Sequence, residues 1–343
     1  MIIVLFSGGL DSLGALIFAL NRQQYAIDKD EILALYSDLG HRYADKEILA
    51  FTKICEQLNV KNKISHRFQW LGKSEQKDAY IPFRNLFLIE DALIELPEGF
   101  PNGFTHKIYL QNVQVGETEV GDRTLSFNKQ TEELINNAYN RGVQIISPFE
   151  DSTKGQIVSY LKDRVPLEII KLTVGCFTNS FSHCGKCPAC FRRWVALEHV
   201  GIDTTGWFDN PPQEWEGVKQ YAVKMLLGMY DRRRVEETLA VLKKFDLLKN
   251  VKVYAVDIDG VLCEERQDLN YHLSGPKYNN ITKVNSLYAD GHGIMLYSSR
   301  FESDREVTKI WLQNYGVKYH KLVLGKPQAD FYVDDRNKGV WEL

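Results

Sequence analysis

A glycine-rich loop near the amino terminus constrains the fold more than any other stretch of this chain. It consists of Ser7, Gly8, Gly9, Leu10, Asp11 and Ser12. It lies between an apolar run over residues 1 to 6 and a periodic apolar segment over residues 13 to 20, an order that predicts strand, loop and helix. Paired glycines let the backbone approach a ligand, and the N–H groups of the loop and the first helical turn then face a bound anion. No Gly-Lys-Ser or Gly-Lys-Thr follows, so the loop is not of the Walker A type.

Composition sets broad limits on the protein. With 343 residues, 44% of them hydrophobic, the chain is long enough for two domains. A formal charge of −3 argues against a broad basic surface for nucleic acid, although a local patch is compatible with it. The chain contains no apolar run long enough for a membrane span, and the segment before Ser7 is too short and uncharged for a signal peptide. We therefore predict a cytoplasmic protein without a membrane partner.

The loop resembles the SGGxDS pyrophosphate loop of the ATP pyrophosphatases, which split ATP between its α- and β-phosphates to activate a substrate as an adenylate. This resemblance implies a doubly wound parallel-sheet PP-loop domain of the HUP type, in which residues 7 to 12 bind ATP and hold the leaving pyrophosphate. A plain glycine turn between strand and helix is the alternative.

A second motif follows the predicted strand over residues 31 to 36. Ligands of doubly wound sheets bind beyond the carboxyl ends of the strands, and both motifs lie at that edge. Asp38 and Gly40 match the turn where the pyrophosphatase family holds adenosine. Asp38 as the N-cap of a helix over residues 44 to 58 is an equally good interpretation.

The stretch Tyr80-Ile81-Pro82-Phe83-Arg84-Asn85 narrows the resemblance to the 7-cyano-7-deazaguanine synthases. Those enzymes convert 7-carboxy-7-deazaguanine to its nitrile with ATP and ammonia. Arg84 is then expected near phosphate or carboxylate, while Asn85 either caps the next helix or binds the nucleotide.

Two further segments carry expected ligand contacts. Where the synthase family has its base-recognising loop, this chain offers Gly116, Asp122 and Arg123, without the family's proline and cysteine. Lys154 lies at a helix start that resembles the family's lysine-bearing one, and a mobile ammonium suits a developing negative charge. For Lys154 a plain surface lysine is the competing interpretation.

Four of the six cysteines crowd together as Cys176, Cys184, Cys187 and Cys190. Their spacing includes two C-x2-C turns, which indicates a closed tetrahedral zinc site with a structural role. The synthase family has this pattern, followed after three residues by an arginine, here Arg193. His183 as an alternative ligand and redox chemistry by Cys187 and Cys190 are the competing interpretations.

The composition of the chain changes near residue 251, after a segment over residues 214 to 249 with helical periodicity. An apolar strand pattern ends in Asp257 and Asp259, which resembles the first motif of the haloacid dehalogenase superfamily of phosphotransferases. On an extended turn, Asp257 can attack phosphorus while Asp259 protonates the leaving oxygen, and both can bind Mg²⁺.

Three later segments complete that resemblance. Ser298 ends the strand over residues 293 to 297 and is expected to contact the phosphoryl group, while Lys326 would neutralise an aspartyl-phosphate. Asp334 and Asp335 follow the last predicted strand as Mg²⁺ ligands. Residues 251 to 343 leave no room for a large cap domain, so the site is expected to be open.

The predicted organisation is therefore an α/β protein with a PP-loop synthase-like domain over residues 1 to 248 and a small Rossmann-like dehalogenase-type phosphatase domain over residues 249 to 343. We expect ATP, structural Zn²⁺ and Mg²⁺ as cofactors, and a small 7-deazaguanine carboxylate as the substrate. An amine captures the adenylate, giving an amide or a nitrile with AMP and pyrophosphate.

Several alternatives remain open on the sequence alone. The enzyme could join a deazaguanine to a protein terminus, as synthase-like proteins of bacterial anti-phage systems do, or process nucleic acid or tRNA with a polynucleotide phosphatase. A nucleotide sensor without turnover is a further alternative. A homodimer could form through an apolar face over residues 219 to 227, which core packing explains equally well.

Overall fold

The computed structural model describes residues 1–22, 32–96, 106–110, 121–139, 142–178, 180–266, 268–327, 329, 335–336, 339 and 342. The chain forms two compact units. The first contains Met1–Glu216 and Asp231–Val241, and the second contains Gly217–Tyr230 and Leu242–Leu343. This division differs from one with a single boundary at residue 248, because the chain enters the second unit at Gly217, returns to the first at Asp231 and enters the second again at Leu242. The domain division at residue 248 stays a prediction.

The first unit is built on a parallel sheet of short strands. In chain order the described strands are β1 (Ile2–Leu5), β2 (Ile32–Ser37), β3 (Asn62–Ser65), β4 (His106–Tyr109) and β5 (Val143–Ile146). They are arranged β3-β2-β1-β4-β5, and every pairing is parallel. The direction of chain progression therefore reverses between β1 and β4, which creates a crevice at the carboxyl end of β1.

Helices cover both faces of this sheet. They are α1 (Leu10–Arg22), α2 (Ala44–Leu58), α3 (Arg84–Glu95), α4 (Leu125–Tyr139), α5 (Lys154–Lys162), α6 (Leu167–Leu172) and α7 (Pro188–His199). Alternate residues of β1 enter different cores: Val4 packs with α1 and α5, while Ile3 packs with α3. Burial on both faces explains why β1 and most of β2 read as continuous apolar runs. The parallel sheet with helices on both faces confirms the predicted α/β class.

The second unit contains a smaller parallel sheet. Its described strands are β6 (Val253–Val256), β7 (Gly293–Tyr297) and β8 (Lys321–Val323), paired in that order. Its helices are α8 (Val218–Leu226), α10 (Tyr278–Ala289) and α11 (Arg305–Asn314), whereas α9 (Arg232–Lys244) belongs mainly to the first unit. The predicted last strand before Asp334 lies outside the described residues.

The apolar side of α8 is part of the second unit's own packing. Val218, Ala222, Val223 and Met225 are buried there, and α8 lies against β7. Core packing therefore accounts for the apolar face that the sequence also offered as a dimer surface. Separately, none of the helices in the described ranges is long and apolar enough to cross a bilayer.

Candidate functional site

The loop between β1 and α1 is shaped by its glycines and serines. Gly8 has a φ of +71°, and a Cβ there would lie 2.9 Å from the carbonyl oxygen of Glu47, so a larger residue does not fit against α2. The Ser12 hydroxyl accepts from the Ser7 N–H at 3.3 Å and donates to the Gly9 carbonyl at 3.1 Å. These bonds curl the loop over the first turn of α1, which carries Asp11.

A cavity of about 240 Å³ adjoins the loop and is strongly cationic. Besides Ser7, Gly9, Leu10, Asp11 and Ser12, its walls contain the basic residues Arg84, Arg123, Lys154, Arg192 and Arg193. Lys154 pairs directly with Asp11, whose other carboxylate oxygen is buried without a hydrogen-bond partner in the described part of the chain. The structure thus gathers the predicted loop, Lys154, Arg84 and Arg123 around one space, which suits a polyanion. We refer to it as the anion pocket.

The position of Lys154 follows from the way α5 begins. Thr153 is the N-cap, its side chain accepts from the Gln156 N–H at 3.2 Å, and the Gln156 side chain accepts from the Thr153 N–H at 2.9 Å. This capping box fixes the first helical turn, and Thr153 also donates to Glu237 of α9. Lys154 is therefore the first helical residue of a rigid element.

Arg193 contributes a buried cation to the anion pocket. Its guanidinium donates to the Thr173 hydroxyl at 2.6 Å and to the Ile170 carbonyl at 2.9 Å, while its Nε has no hydrogen-bond partner among the described residues. Burial lowers the pKa of Arg193 to about 10, which still leaves it charged at neutral pH. The pocket therefore keeps a fixed positive charge on the side formed by α7.

A second cavity, of about 120 Å³, opens beside the first. We call it the apolar cavity, because seven of its sixteen lining residues are aliphatic or phenylalanine side chains, namely Leu5, Phe6, Leu35, Leu39, Ile81, Leu88 and Leu110. The two cavities share Ser7, Ser12, Tyr43, Glu47 and Arg84. An anion pocket that continues into an apolar space at the sheet's switch point suits a ligand with phosphates at one end and a flat ring at the other.

Asp38 and Gly40 form a turn outside the walls of these two cavities. Asp38 accepts from the Gly40 N–H at 2.8 Å, from His66 at 2.9 Å and from the side chain of Gln69. Burial alone would raise the pKa of Asp38, but the hydrogen bonds from Gln69, Gly40 and His66 lower it below its ordinary value. The N-cap position of α2 is Tyr43, so the interpretation of Asp38 as that helix's cap is wrong.

Asn85 and Asp122 are brought together from distant parts of the chain. The Asn85 N–H donates to the Asp122 carboxylate at 3.1 Å, and the Asn85 side chain donates to the Asp122 carbonyl at 2.7 Å. Asp122 therefore satisfies a free N–H at the start of α3, and its second carboxylate oxygen is buried without a partner among the described residues. Gly116, the remaining residue of the predicted base loop, lies outside the described residues.

The four clustered cysteines form one compact set of sulfur ligands. The Sγ atoms of Cys176, Cys184, Cys187 and Cys190 all lie within 4.8 Å of one another, and those of Cys184 and Cys190 are 3.9 Å apart. A tetrahedral zinc with Zn–S bonds of about 2.3 Å requires sulfur separations of about 3.8 Å, so the set fits zinc with no open position. His183 is not part of this set.

A buried lysine attaches the cysteine-bearing segment to the rest of the first unit. Lys46 of α2 donates to the carbonyls of Thr178 and Ser180, the latter at 3.2 Å, and only 2% of its surface is exposed. Cys176 also lines the anion pocket. The cysteine set thus supports one wall of the pocket as well as its own loop.

The second unit carries its own polar cluster at the carboxyl ends of β6 and β7. Lys326 donates to the Asp257 carboxylate at 2.8 Å, and the buried Ser298 donates to the Asp259 carboxylate at 3.3 Å. The predicted residues Asp257, Asp259, Ser298 and Lys326 are therefore neighbours. Of the two later acids, Asp334 lies outside the described residues, and Asp335 is exposed and lies 3.8 Å from Nε of Arg336.

Sequence reasoning gave no role to Arg300, which is central to this cluster. Its guanidinium donates twice to Asp259, at 2.7 and 2.8 Å, and stacks 4.1 Å from the ring centre of Tyr271. The side chain is fully buried, so this bidentate pair fixes the Asp259 carboxylate in place. An arginine directly after the strand-end serines was the available signal.

Comparison with known proteins concerns the first unit. The sequence matches the family described as queuosine biosynthesis protein QueC over residues 1–77 and 67–201. The 7-cyano-7-deazaguanine synthase of Aliarcobacter butzleri is 30% identical over 224 residues, which are 58% of this chain and 91% of the relative. The synthase of Sulfurimonas denitrificans is 32% identical, over 56% of this chain and 89% of the relative. The synthase of Methanocaldococcus jannaschii is 25% identical, over 59% of this chain and 96% of the relative.

Proposed function

The chain belongs to the QueC family, and from this premise we propose that its first unit activates the carboxylate of a 7-deazaguanine with ATP and passes it to an amine. The substrate we name is 7-carboxy-7-deazaguanine, because relatives that this chain covers over about nine-tenths of their length are 7-cyano-7-deazaguanine synthases. The single observation that carries the proposal is the anion pocket continuing into the apolar cavity at the loop after β1.

The roles of the residues follow from their positions. The loop N–H groups and Lys154 hold the phosphates of ATP. Arg84 neutralises charge on the side shared with the apolar cavity, and Arg123 does so within the anion pocket. The substrate carboxylate attacks the α-phosphorus and pyrophosphate leaves. Fixed cations favour this step because negative charge builds on the leaving pyrophosphate. An amine then displaces AMP from the acyl carbon, and a second activation of the resulting amide would give the nitrile.

Zinc has a structural role in this proposal. Bound by Cys176, Cys184, Cys187 and Cys190, the metal would cross-link the segment before α7 to the start of that helix. The same segment supplies Cys176, Arg192 and Arg193 to the wall of the anion pocket. The cysteines thereby hold the pocket's shape and take no part in bond making.

For the second unit we propose a phosphatase of the haloacid dehalogenase type. Lys326 beside Asp257 provides a cation next to the proposed nucleophile, and Ser298 and Arg300 orient the proposed acid Asp259. Asp257 attacks phosphorus as the P–O bond to the leaving group breaks, and Asp259 in its protonated form gives its proton to the leaving oxygen. Water deprotonated by the Asp259 carboxylate then attacks the aspartyl-phosphate, which releases phosphate and frees Asp257. The carboxylates of Asp257, Asp259, Asp334 and Asp335 are the oxygen donors that would hold Mg²⁺, which supplies charge neutralisation at the phosphoryl group.

Mass spectrometry tests the first proposal. The purified protein is incubated with ATP, Mg²⁺, 7-carboxy-7-deazaguanine and ammonium, beside an Asp11→Ala variant. We expect AMP, pyrophosphate and an amide or nitrile product from the wild type, and none from the variant. Absence of AMP would overturn the proposal. A deazaguanine mass on a polypeptide would replace ammonia by a protein amine as the acceptor.

The second proposal has its own assay. Hydrolysis of p-nitrophenyl phosphate with Mg²⁺ is expected to depend on Asp257 and Lys326 and to be independent of Asp11. Equal hydrolysis by the wild type and an Asp257→Asn variant would exclude the proposed nucleophile. If only polynucleotide ends are hydrolysed, the nucleic-acid-processing alternative replaces a small-molecule substrate.

A further inference from the structure

A hydrogen-bonded histidine and glutamate lie where the anion pocket meets the apolar cavity. Glu47 lines both cavities, and its Oε2 accepts from the Tyr36 hydroxyl at 3.2 Å. The same oxygen is 3.0 Å from Nε2 of His41. A carboxylate only accepts hydrogen bonds, so Nε2 of the neutral imidazole carries the proton and Nδ1 presents a lone pair.

Contacts within the described part of the chain do not account for the other ring nitrogen of His41, Nδ1. His41 is 9% exposed and lines the apolar cavity, and its Nδ1 is buried without a hydrogen-bond partner among the described residues. Its ring packs edge-on against Tyr43 at a centroid distance of 4.3 Å, which restrains its orientation. Buried polar atoms are nearly always paired, so an unpaired acceptor in a cavity wall indicates a bound group that donates to it.

We propose that His41 is the general base of the amine-capture step and that Glu47 positions it. This inference rests on the proposed function of the first unit and adds the acceptor of the amine's proton. As the nitrogen lone pair forms the C–N bond, one N–H proton passes to Nδ1 of His41. The C–O bond to the phosphate breaks, and AMP leaves with that electron pair. The imidazolium so formed is balanced by the Glu47 carboxylate.

The groups around His41 agree with this role. The titratable and charged residues that line the apolar cavity with it are Tyr36, Tyr43, Glu47 and Arg84. Burial and the neighbouring Glu47 raise the pKa of Tyr43 to about 12 and that of Tyr36 further, so both phenols stay neutral. Glu47 is thus the negative group in this wall that can stabilise an imidazolium. Arg84 is the cation in this wall, and it also lines the anion pocket.

The test separates adenylation from amine capture. Wild type, His41→Gln, Glu47→Gln and the matched control His199→Gln, an exposed residue of α7, are compared. Adenylation is measured as exchange of labelled pyrophosphate into ATP with 7-carboxy-7-deazaguanine present. Capture is measured as amide formed with ammonium, and again with hydroxylamine, whose attacking nitrogen gives up its proton more readily.

We expect His41→Gln to keep exchange within about threefold of the wild type and to lose capture of ammonia by about 100-fold or more. Hydroxylamine should recover much of that loss, and Glu47→Gln should lose capture by about tenfold because a neutral amide stabilises an imidazolium less well. Equal losses of exchange and capture would overturn the role of His41, as would unchanged capture. Absence of exchange in the wild type would instead overturn the proposed function itself.

Discussion

The two units place a similar pair of side chains in similar positions, but surround them with different charged groups. In each, an aspartate follows the first strand of a parallel sheet and pairs with a lysine from a later segment, Asp11 with Lys154 and Asp257 with Lys326. Around Asp11 the described walls are cationic. Close to Asp257 in the second unit lies a second carboxylate, Asp259, whose own partner is Arg300.

If the proposed functions are correct, similar strand-end positions serve two kinds of phosphate chemistry. In the first unit the described walls offer loop N–H groups and basic side chains, which can bind phosphates directly. The second unit gathers carboxylates, which repel phosphate unless a metal ion neutralises them, but which can attack phosphorus. On the proposed functions, the attacking group comes from the substrate in the first unit and from the protein in the second.

Replacing Asp257 should give the largest effect and the sharpest separation of the two sites. We expect Asp257→Asn to lower phosphate release by at least about 10,000-fold, because it removes the proposed nucleophile. Pyrophosphate exchange by the first unit should be unchanged. The exposed Asp290→Asn serves as the control in the phosphatase assay. A parallel fall in both activities would contradict the independence of the two sites.

Replacing Lys154 tests the cationic site in the same way. Lys154→Gln removes the ammonium beside Asp11, and we expect pyrophosphate exchange to fall by about 100- to 1,000-fold, the usual loss when a group that stabilises developing charge is removed. Lys129→Gln, an exposed change on α4, is the matched control. Phosphate release should be the same in all three proteins, and exchange at the wild-type rate in Lys154→Gln would remove that residue from the mechanism.

The zinc site should distinguish the units by stability. We expect Cys184→Ser to abolish bound zinc and to destabilise the first unit by about 3 kcal/mol or more, which is about 6–12 °C in melting temperature for a unit of this size. Metal content by mass spectrometry and a thermal scan measure the two effects. Cys55→Ala, at a buried thiol outside the cluster, should keep its zinc even where it loses some packing stability.

The smallest expected effect concerns pH. Because the pKa of Asp38 is lowered on folding, its carboxylate contributes stability above its unfolded pKa of about 4, and this contribution is lost as the pH falls through the folded value. Asp38→Asn should therefore be less stable than wild type at pH 6, and the difference should shrink below about pH 4. Denaturant midpoints at several pH values measure this difference, with the exposed Asp163→Asn variant measured beside it as the control.

Local patterns in the sequence predicted the parts of the fold whose causes are local. The helix expected over residues 44 to 58 is α2, and the strand expected over residues 293 to 297 is β7. Helix α1 begins at Leu10, three residues before the predicted start, because the polar loop residues form its first turn. Strand β4 was not predicted: its four residues include a histidine and a lysine, and its place is fixed by pairing with β1 and β5 on either side.

The candidate sites show the same difference between features set by local sequence and features set by long-range packing. The loop after β1, the cysteine set and the acid turn after β6 could be predicted because their chemistry is written in closely spaced residues. The contact of Arg300 with Asp259 spans 41 residues, and that of Asp122 with Asn85 spans 37. Such contacts depend on the packing of whole elements, so a single sequence gives no spacing rule for them.

The alternation of the chain between the two units has a consequence for its synthesis. The ribosome releases α8, which belongs to the second unit, before residues 231–241, which complete the first. The first unit therefore cannot complete its folding before α8 has been synthesised. Helix α8 in turn cannot pack against its own sheet until β6 and β7 have been synthesised. The two units therefore cannot fold strictly one after the other during synthesis, because each needs a segment that follows part of the other along the chain.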